Sequence, residues 1–224
     1  MMIGSNRPTF GPEDWQVRVR VPPQTNIRAE VLTNSDVSVS GPCVGTLMAV
    51  SQVTPVLFLS GLDSALNPSV LISRNITLIV NASCLEDVSY PQLDGLQVLQ
   101  VPVQDQPHAP LNQYFDPVSE RIHQNQTGKT LVHCTAGRSR SPALIMAYLM
   151  RFEGLSLRRA HEAVLEQRPF IRPNAGFWRQ LMDYERTLFN RTTVRMVTTP
   201  AGVLPEALQD AEDLNAAAAY CVNV

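Results

Sequence analysis

A short segment in the second half of the chain combines a predicted buried strand, a turn and a predicted buried helix. The strand covers Thr130, Leu131 and Val132, which are β-branched or apolar, and the helix covers the largely apolar residues 142–150. Between them lie nine residues, His-Cys-Thr-Ala-Gly-Arg-Ser-Arg-Ser, which run from His133 to Ser141. The chain must therefore fold so that this turn joins a strand of the core to a helix of the core.

The turn has the composition of an anion-binding loop. If it curls around an anion, its backbone N–H groups can point inward, and the following helix adds the positive end of its dipole. Gly137 permits a close approach of the backbone, and Arg140, six residues after Cys134, can hold two phosphate oxygens with its planar guanidinium. The predicted phosphate-binding residues are Thr135, Ala136, Gly137, Arg138, Ser139 and Arg140.

Cys134 is the candidate nucleophile of this loop. Helix N-termini and adjacent cations lower thiol pKa values to roughly 3.5–7.5. Cys134 has both as neighbours, so we expect a lowered pKa and a thiolate at neutral pH. A thiolate that faces a bound phosphate ester is placed to attack phosphorus.

A proton donor for the leaving oxygen must come from elsewhere in the chain. Asp105 is the stronger candidate, because it begins a loop directly after the apolar strand pattern from Leu96 to Val103. Asp116 is the rival carboxylate. It falls inside a helical pattern over residues 111–123, where a solvated or capping role is expected.

These residues resemble the cysteine-dependent protein tyrosine phosphatase superfamily, and within it the small atypical dual-specificity phosphatases. The signature His-Cys-x-x-Gly-x-x-Arg-Ser is met from His133 to Ser141, the acid loop at Asp105, and further matches lie at residues 147–150 and 172–178. The resemblance extends from about Val44 to Asn190. Residues 193–197 and 200–202 are similar to the subgroup around MAP-kinase phosphatase 6, whereas Arg138 replaces a more often apolar residue.

The resemblance implies a two-step phosphatase reaction that needs neither metal nor cofactor. Cys134 would form a cysteinyl-phosphate with Asp105 as acid and then base, while Arg140 and Ser141 complete the catalytic set. His133 is expected to tune the loop rather than carry protons. Asn174 lies between two predicted helices, where it either braces the loop by hydrogen bonding or serves a plain turn.

Strand and helix patterns alternate along the chain, which predicts an α/β fold with a mainly parallel sheet of about five strands covered by helices on both faces. A protein tyrosine phosphatase-like fold is what the resemblance implies. The predicted strands are Leu47–Val50, Val56–Leu59, Thr77–Asn81, Leu96–Val101 and Thr130–His133. The predicted domains are a mobile leader over 1–43, a catalytic domain over 44–190, and a C-terminal tail over 191–224 without a clear core pattern.

Charge and cysteine content restrict the class of partner and the compartment. A net charge of −2 argues against a general binder of nucleic acid or anionic membranes, and no apolar run approaches the ~20 residues of a membrane span. The four cysteines lack metal-binding spacing, and the start resembles no secretory signal. We therefore expect the protein to lie in a reducing compartment, either the cytoplasm alone or the cytoplasm and the nucleus. Cys84 is either a disulfide partner of Cys134 or an inert packed thiol.

The function predicted from the resemblance is hydrolysis of phosphotyrosine and of phosphoserine or phosphothreonine in proteins, with MAP-kinase pathway components among the candidate substrates. One alternative is a phosphatase of a non-protein ester such as a phosphoinositide, an RNA 5′-phosphate or a phosphoglycan. A second alternative is a catalytically silent phosphate-binding module. Such modules usually lack the catalytic Cys, Arg or Asp, whereas this chain has all three. No feature of the sequence indicates an oligomeric state.

Overall fold

The computed structural model of the chain describes residues 50–85, 87–199 and 202–207. The predicted leader over 1–43 and the first three residues of the predicted strand Leu47–Val50 lie outside these ranges. The domain limits at residues 43 and 190 stay predictions. In the described part of the chain, no helix combines the length and the apolar character that crossing a membrane requires.

Two groups of elements make up the described chain. The strands are β1 (Ser51–Thr54), β2 (Leu57–Ser60), β3 (Ile76–Asn81), β4 (Gln97–Gln100), β5 (Lys129–His133), β6 (Met196–Thr199) and β7 (Gly202–Pro205). The helices are α1 (Leu62–Ala65), α2 (Pro68–Ser73), α3 (Phe115–His123), α4 (Arg140–Phe152), α5 (Leu157–Gln167) and α6 (Ala175–Phe189), with a 3₁₀ turn over Leu111–Tyr114.

Strands β1 to β5 form one sheet in the order β1-β2-β5-β3-β4. The pairs β2·β5, β5·β3 and β3·β4 are parallel, and only β1 runs antiparallel to its neighbour. This arrangement confirms the predicted fold class. The bounds of β2 to β5 agree with the predicted strands within one residue at each end, whereas the first strand begins at Ser51, one residue after the predicted strand ends.

Helices cover both faces of the sheet, as alternate residues of the central strands show. Val132 of β5 and Val80 of β3 belong to the large core beneath α3 to α6, while Leu131 and Ile79 belong to a smaller core that includes Leu71 of α2. Successive strand residues point to opposite faces. The central strands are therefore apolar on both sides, as expected for a parallel sheet.

The described residues after 190 include buried positions as far as Ala207, although the sequence shows no clear core pattern in this part of the chain. Val194 and Ala207 are buried members of the large core, on either side of an antiparallel hairpin formed by β6 and β7. Glu185 of α6, fully buried, accepts hydrogen bonds from the backbone N–H and the hydroxyl of Thr193. Val194 and Ala207 lie 13 positions apart and belong to no common helix or strand pattern, so the sequence did not predict this packing.

Candidate active site

The turn that follows β5 lies at the middle of the sheet edge. β5 pairs with β2 on one side and β3 on the other, so the residue after its last position sits where the carboxyl ends of three parallel strands meet. In open α/β sheets this edge is the usual place for a ligand. The loop of residues 134–139 between β5 and α4, called the Cys134 loop below, occupies it.

Every carbonyl of the Cys134 loop from Thr135 to Arg138 has a donor on the outside of the loop. The donors are Leu62 N for Thr135 O at 3.0 Å, Arg168 Nη2 for Ala136 O at 3.2 Å, Arg168 Nε for Gly137 O at 2.8 Å, and Arg172 N for Arg138 O at 2.6 Å. A trans peptide directs its C=O and N–H in opposite directions. The N–H groups of residues 136–139 are therefore expected to point to the inner side, as an anion-binding nest requires.

Gly137 is required at its position by both its backbone conformation and its neighbours. Its φ is +66°, in the left-handed region where side chains are unfavourable. A Cβ there would also lie 2.5 Å from the carbonyl oxygen of Ser60 at the end of β2. The absence of a side chain thus lets the loop rest directly on the sheet edge.

The N-terminus of α4 is left open toward the interior of the loop. Ser139 is the N-cap residue, yet its hydroxyl makes no capping bond to the helix and donates to Asp105 Oδ1 at 2.7 Å instead. The first N–H groups of a helix carry a partial positive charge. They remain available to the thiol and to a bound anion.

The thiol of Cys134 is buried, only 2% exposed, at the start of this helix. Burial alone would raise its pKa, but hydrogen bonds from the Ser141 hydroxyl and backbone N–H, the charge of Arg140 and the N–H of Ser139 outweigh burial and lower the pKa. The Ser141 Oγ lies 3.2 Å from Sγ. The thiol is thus shifted toward the thiolate, as the sequence predicts.

The guanidinium of Arg140 is buried at the same place. Its Nη2 donates to Thr135 Oγ1 at 3.1 Å, and its Nη1 lies 3.4 Å from Val103 O. Its Nε is buried and has no hydrogen-bond partner among the described residues, although Asp105 Oδ2 lies 3.9 Å away. An unpaired charged donor in a buried site is costly, so this arrangement fits a site built to receive an anion.

The His133 side chain fixes the start of the loop and is held in one tautomer. Its Nδ1 lies 3.2 Å from Cys134 O, and its Nε2 lies 2.6 Å from the hydroxyl of Tyr90. A carbonyl can only accept, so Nδ1 carries the proton and Nε2 accepts from Tyr90. Burial and the charge of Arg140 lower the pKa of His133, and the bond to Cys134 O opposes them only in part. The resulting pKa is about 4, so the ring is neutral at physiological pH.

The structure separates the two candidate acids. Asp105, with a side chain 37% exposed, lies beside the Cys134 loop, where its Oδ1 accepts from Ser139 and from Asn174 Nδ2 at 2.8 Å. Asp116 lies on α3 and accepts hydrogen bonds from Arg151 and Tyr184 on the outer surface. Only Asp105 is brought together with Cys134.

Asn174 links three parts of the site. Its side-chain Oδ1 accepts from Phe177 N and caps α6, its Nδ2 donates to Asp105, and its backbone N donates to Ser139 Oγ at 3.3 Å. Asn174 therefore caps α6, a role that the sequence analysis did not assign to it, and it also hydrogen-bonds to Ser139 of the Cys134 loop and to Asp105.

Arg138 and Cys84 lie at the surface around the site. Arg138 is exposed, and its Nε donates to Phe170 O at 3.1 Å, which holds its charge beside the loop. Cys84 is exposed, with φ +63°, and both it and Cys134 are free thiols. The interpretation of Cys84 as a packed thiol is therefore wrong, and the alternative of a disulfide with Cys134 is not formed in this structure.

Sequence reasoning missed Arg168 and Tyr90. Arg168 is completely buried, donates to two carbonyls of the Cys134 loop, and stacks 4.5 Å from the ring centre of Phe170. Burial lowers its pKa, an effect that the negative charge of Cys134 opposes. Both residues lie more than 30 positions from Cys134, and no spacing rule joins them to it.

Comparisons with known proteins agree with this geometry. A family model described as the dual specificity phosphatase catalytic domain matches residues 57–187. Human dual specificity protein phosphatase 14 is 46% identical over 168 residues, covering 74% of this chain and 83% of the relative. Human dual specificity protein phosphatase 18 is 42% identical over 163 residues, covering 72% and 86%.

A solved structure shares both the fold and much of the sequence. The crystal structure of human DUSP28 matches with a TM-score of 0.59 and 39% identity, covering 62% of this chain and 94% of that one. The family model spans more than half of the chain and contains Cys134, Arg140, Ser141 and Asp105. By its sequence, its fold and the composition of its Cys134 loop, the chain belongs to the dual specificity phosphatase family of protein phosphatases.

Proposed function

We propose that the chain hydrolyses phosphotyrosine and phosphoserine or phosphothreonine in proteins through a cysteinyl-phosphate intermediate. The observation that carries this proposal is the surrounding of Cys134, a thiol of lowered pKa inside a loop whose N–H groups point inward. A thiolate in such a loop is activated for attack and faces a cradle for the phosphate. The proposed catalytic residues are Cys134, Arg140, Asp105 and Ser141.

In the first step, the Cys134 thiolate attacks phosphorus. An S–P bond forms while the P–O bond to the leaving alkoxide or phenoxide breaks, and Asp105 gives its proton to the leaving oxygen. Oδ1 of Asp105 accepts from both Ser139 and Asn174. We assign the transferred proton to Oδ2, the oxygen that is turned toward Arg140.

In the second step, a water molecule attacks the phosphorus of the cysteinyl-phosphate. Asp105, now a carboxylate, takes the proton from this water, the S–P bond breaks, and inorganic phosphate is released. The Ser141 hydroxyl donates to the departing sulfur, which makes the thiolate a better leaving group. The enzyme thereby returns to its starting state.

Arg140 and the inward N–H groups of the loop stabilise the charge on the equatorial oxygens in both steps. Arg140 offers its Nε, which has no hydrogen-bond partner among the described residues. His133 stays neutral and holds the carbonyl of Cys134, a supporting role without proton transfer.

Arg168 is expected to act through the loop that it orients. In Arg168→Met, two carbonyls lose their donors, and an unsatisfied buried group costs about 1–3 kcal/mol. We expect kcat/KM to fall on the order of 10–10²-fold, and the Ki of inorganic phosphate to rise, because the N–H groups lose their fixed orientation. Steady-state kinetics with phosphate inhibition would check this. An unchanged Ki would show that Arg168 does not orient the loop.

The substrates are proposed to be phosphoproteins, with MAP-kinase pathway components among them, acted on in the cytoplasm and also the nucleus. Support comes from the resemblance of residues 193–197 to the MAP-kinase phosphatase 6 subgroup and from the names of the curated relatives. Free Cys84 and Cys134 fit a reducing compartment.

The substrate class is tested with the purified chain and a panel of phosphate esters. Phosphotyrosine, phosphothreonine and phosphoserine peptides of matched sequence are compared with phosphoinositide vesicles, 5′-phosphorylated RNA and a phosphoglycan. We expect kcat/KM to be highest for the phosphopeptides. The reverse order would make a non-protein ester the substrate class.

If the phosphopeptides are preferred, substrate trapping with Asp105→Ala in a cell extract would identify the bound phosphoprotein.

Arg138 is expected to favour substrates with acidic residues beside the phosphate, because its fixed positive charge lies next to the loop. Exposed charge pairs contribute about 0.2–1 kcal/mol, so Arg138→Val should lower the kcat/KM ratio of acidic to neutral phosphopeptides by at most about fivefold. Salt should reduce the same ratio in the wild type. Arg138→Lys, which keeps the charge, is the control. If Arg138→Val left the kcat/KM ratio of acidic to neutral phosphopeptides unchanged, the Arg138 charge would only pair with a local carboxylate and would not act on the substrate.

A further inference from the structure

The loop of residues 101–110, called the acid loop below, carries Asp105 and contains no helix or strand. Val103 and Ala109 are buried and anchor its two ends, while residues 104–108 between them are exposed. Bonds within the loop, from Gln106 N to Gln104 O and from Ala109 N to Gln106 O, shape its turns. They do not fix its position relative to the Cys134 loop. Ser139 and Arg140 contact the acid loop at Asp105 and Val103, and a further element contacts it at several points between Asp105 and Ala109.

That element is α6. At its N-cap, Asn174 donates to the carboxylate of Asp105. Two residues further, at the second residue of the helix, Gly176 lies directly against the backbone of Pro107. After one more turn, the side chain of Gln180 donates to Ala109 O at 2.8 Å and accepts from Asn112 N at 2.7 Å. The first two turns of α6 thus contact the acid loop at successive points along its length.

Gly176 makes the closest of these contacts. A Cβ at this position would lie 1.7 Å from Pro107 O, 2.4 Å from its carbonyl carbon and 2.5 Å from its Cα. All three are backbone atoms, so no flexible side chain can move aside. The acid loop can occupy its observed place only because residue 176 has no side chain.

Gln180 lies four residues after Gly176, so the two share one face of the helix. Its amide is matched to the loop, since its NH₂ group meets a carbonyl and its oxygen meets an N–H. The contact extends beyond the acid loop to the 3₁₀ turn at residue 112, which fixes the far end of the segment.

We propose that Gly176 and Gln180 are positioning residues that seat the acid loop on α6 and thereby set the distance from Asp105 to the leaving oxygen. The inference rests on the proposed role of Asp105 as the acid. Displacement of a reacting group by about 1 Å can cost on the order of 10²-fold in rate. A side chain at residue 176 would force a displacement of about this size, without touching Cys134 or Arg140.

The test uses aryl phosphates with good and poor leaving groups, p-nitrophenyl phosphate and phenyl phosphate. In Gly176→Ala we expect kcat on phenyl phosphate to fall on the order of 10–10²-fold and kcat on p-nitrophenyl phosphate to fall much less, because only the poor leaving group needs the proton. Gln180→Leu should change the ratio in the same direction by a smaller factor. The Ki of inorganic phosphate should stay within about threefold of wild type, since the anion cradle is unchanged.

Arg179→Ala is the matched control, because this exposed residue precedes Gln180 on the same helix. Both test variants are also made in an Asp105→Asn background. There we expect no further loss of the phenyl phosphate rate, because the acid that Gly176 and Gln180 position has been removed. With a general folding defect, the loss caused by the test variant would instead multiply the loss caused by Asp105→Asn. If Gly176→Ala yields no folded protein, Gln180→Leu and its double variant carry the comparison.

Equal losses on both esters, or multiplied losses in the Asp105→Asn background, would overturn the inference. Failure of the proposed function looks different. In that case Asp105→Asn alone would leave the phenyl phosphate rate unchanged, before either positioning residue is altered.

Discussion

Cys134→Ser is expected to abolish turnover while binding of phosphate is retained. The serine hydroxyl has no lowered pKa and cannot supply a ready nucleophile, whereas the N–H groups and Arg140 that hold the phosphate remain in place. We expect kcat to fall on the order of 10⁴-fold or more, the scale of loss when a covalent nucleophile is removed. Stopped-assay kinetics and calorimetric titration with inorganic phosphate would measure the two effects.

Removal of the thiolate also removes a negative charge that faces the phosphate dianion, so the affinity of Cys134→Ser for phosphate should not be weaker than that of wild type. Cys84→Ser is the matched control, because Cys84 is the other free thiol in the described residues and lies exposed. Its turnover should be unchanged. If Cys134→Ser kept more than about a tenth of wild-type turnover, a rate beyond what the lost nucleophile permits, Cys134 could not be the nucleophile. Activity of the wild type itself separates the enzyme from a silent phosphate-binding module.

Asp105→Asn is expected to lower turnover on the order of 10²–10⁴-fold for esters with poor leaving groups, the usual contribution of acid catalysis. The asparagine can keep the hydrogen bonds to Ser139 and Asn174 after its amide is oriented, but it has no acidic proton to give. The loss should be much smaller for p-nitrophenyl phosphate, whose leaving group needs little protonation. A series of aryl phosphates of graded leaving-group pKa would give the dependence directly.

The control for this prediction is Asp116→Asn on α3. Asp116 interacts with Arg151 and Tyr184 at the surface, so its removal should change stability slightly and turnover little. Exchange of the two behaviours, with Asp116→Asn sensitive to the leaving group and Asp105→Asn indifferent to it, would mean that the acid has been assigned to the wrong carboxylate.

The sequence by itself predicted whatever depends on residues close together in the chain. Cys134, Gly137, Arg140 and Ser141 lie within one turn, so their spacing alone indicates a loop that surrounds an anion. The alternation of apolar strands and helices was equally local, and it predicted the mainly parallel sheet and four of the five strands within a residue. Asp105 was found because it follows a strand pattern, which places it at the same sheet edge.

The tertiary structure alone decided what orients these groups. Arg168 on the outside of the Cys134 loop, Tyr90 against His133, and Gly176 and Gln180 against the acid loop are distant in sequence from the residues that they support. The packing of Val194 and Ala207 was missed for the same reason. Periodicity records which face of an element is buried, but not which element covers it. That choice follows from the order of strands and the packing of helices, and the same packing fixes the direction of each N–H group and of the acid.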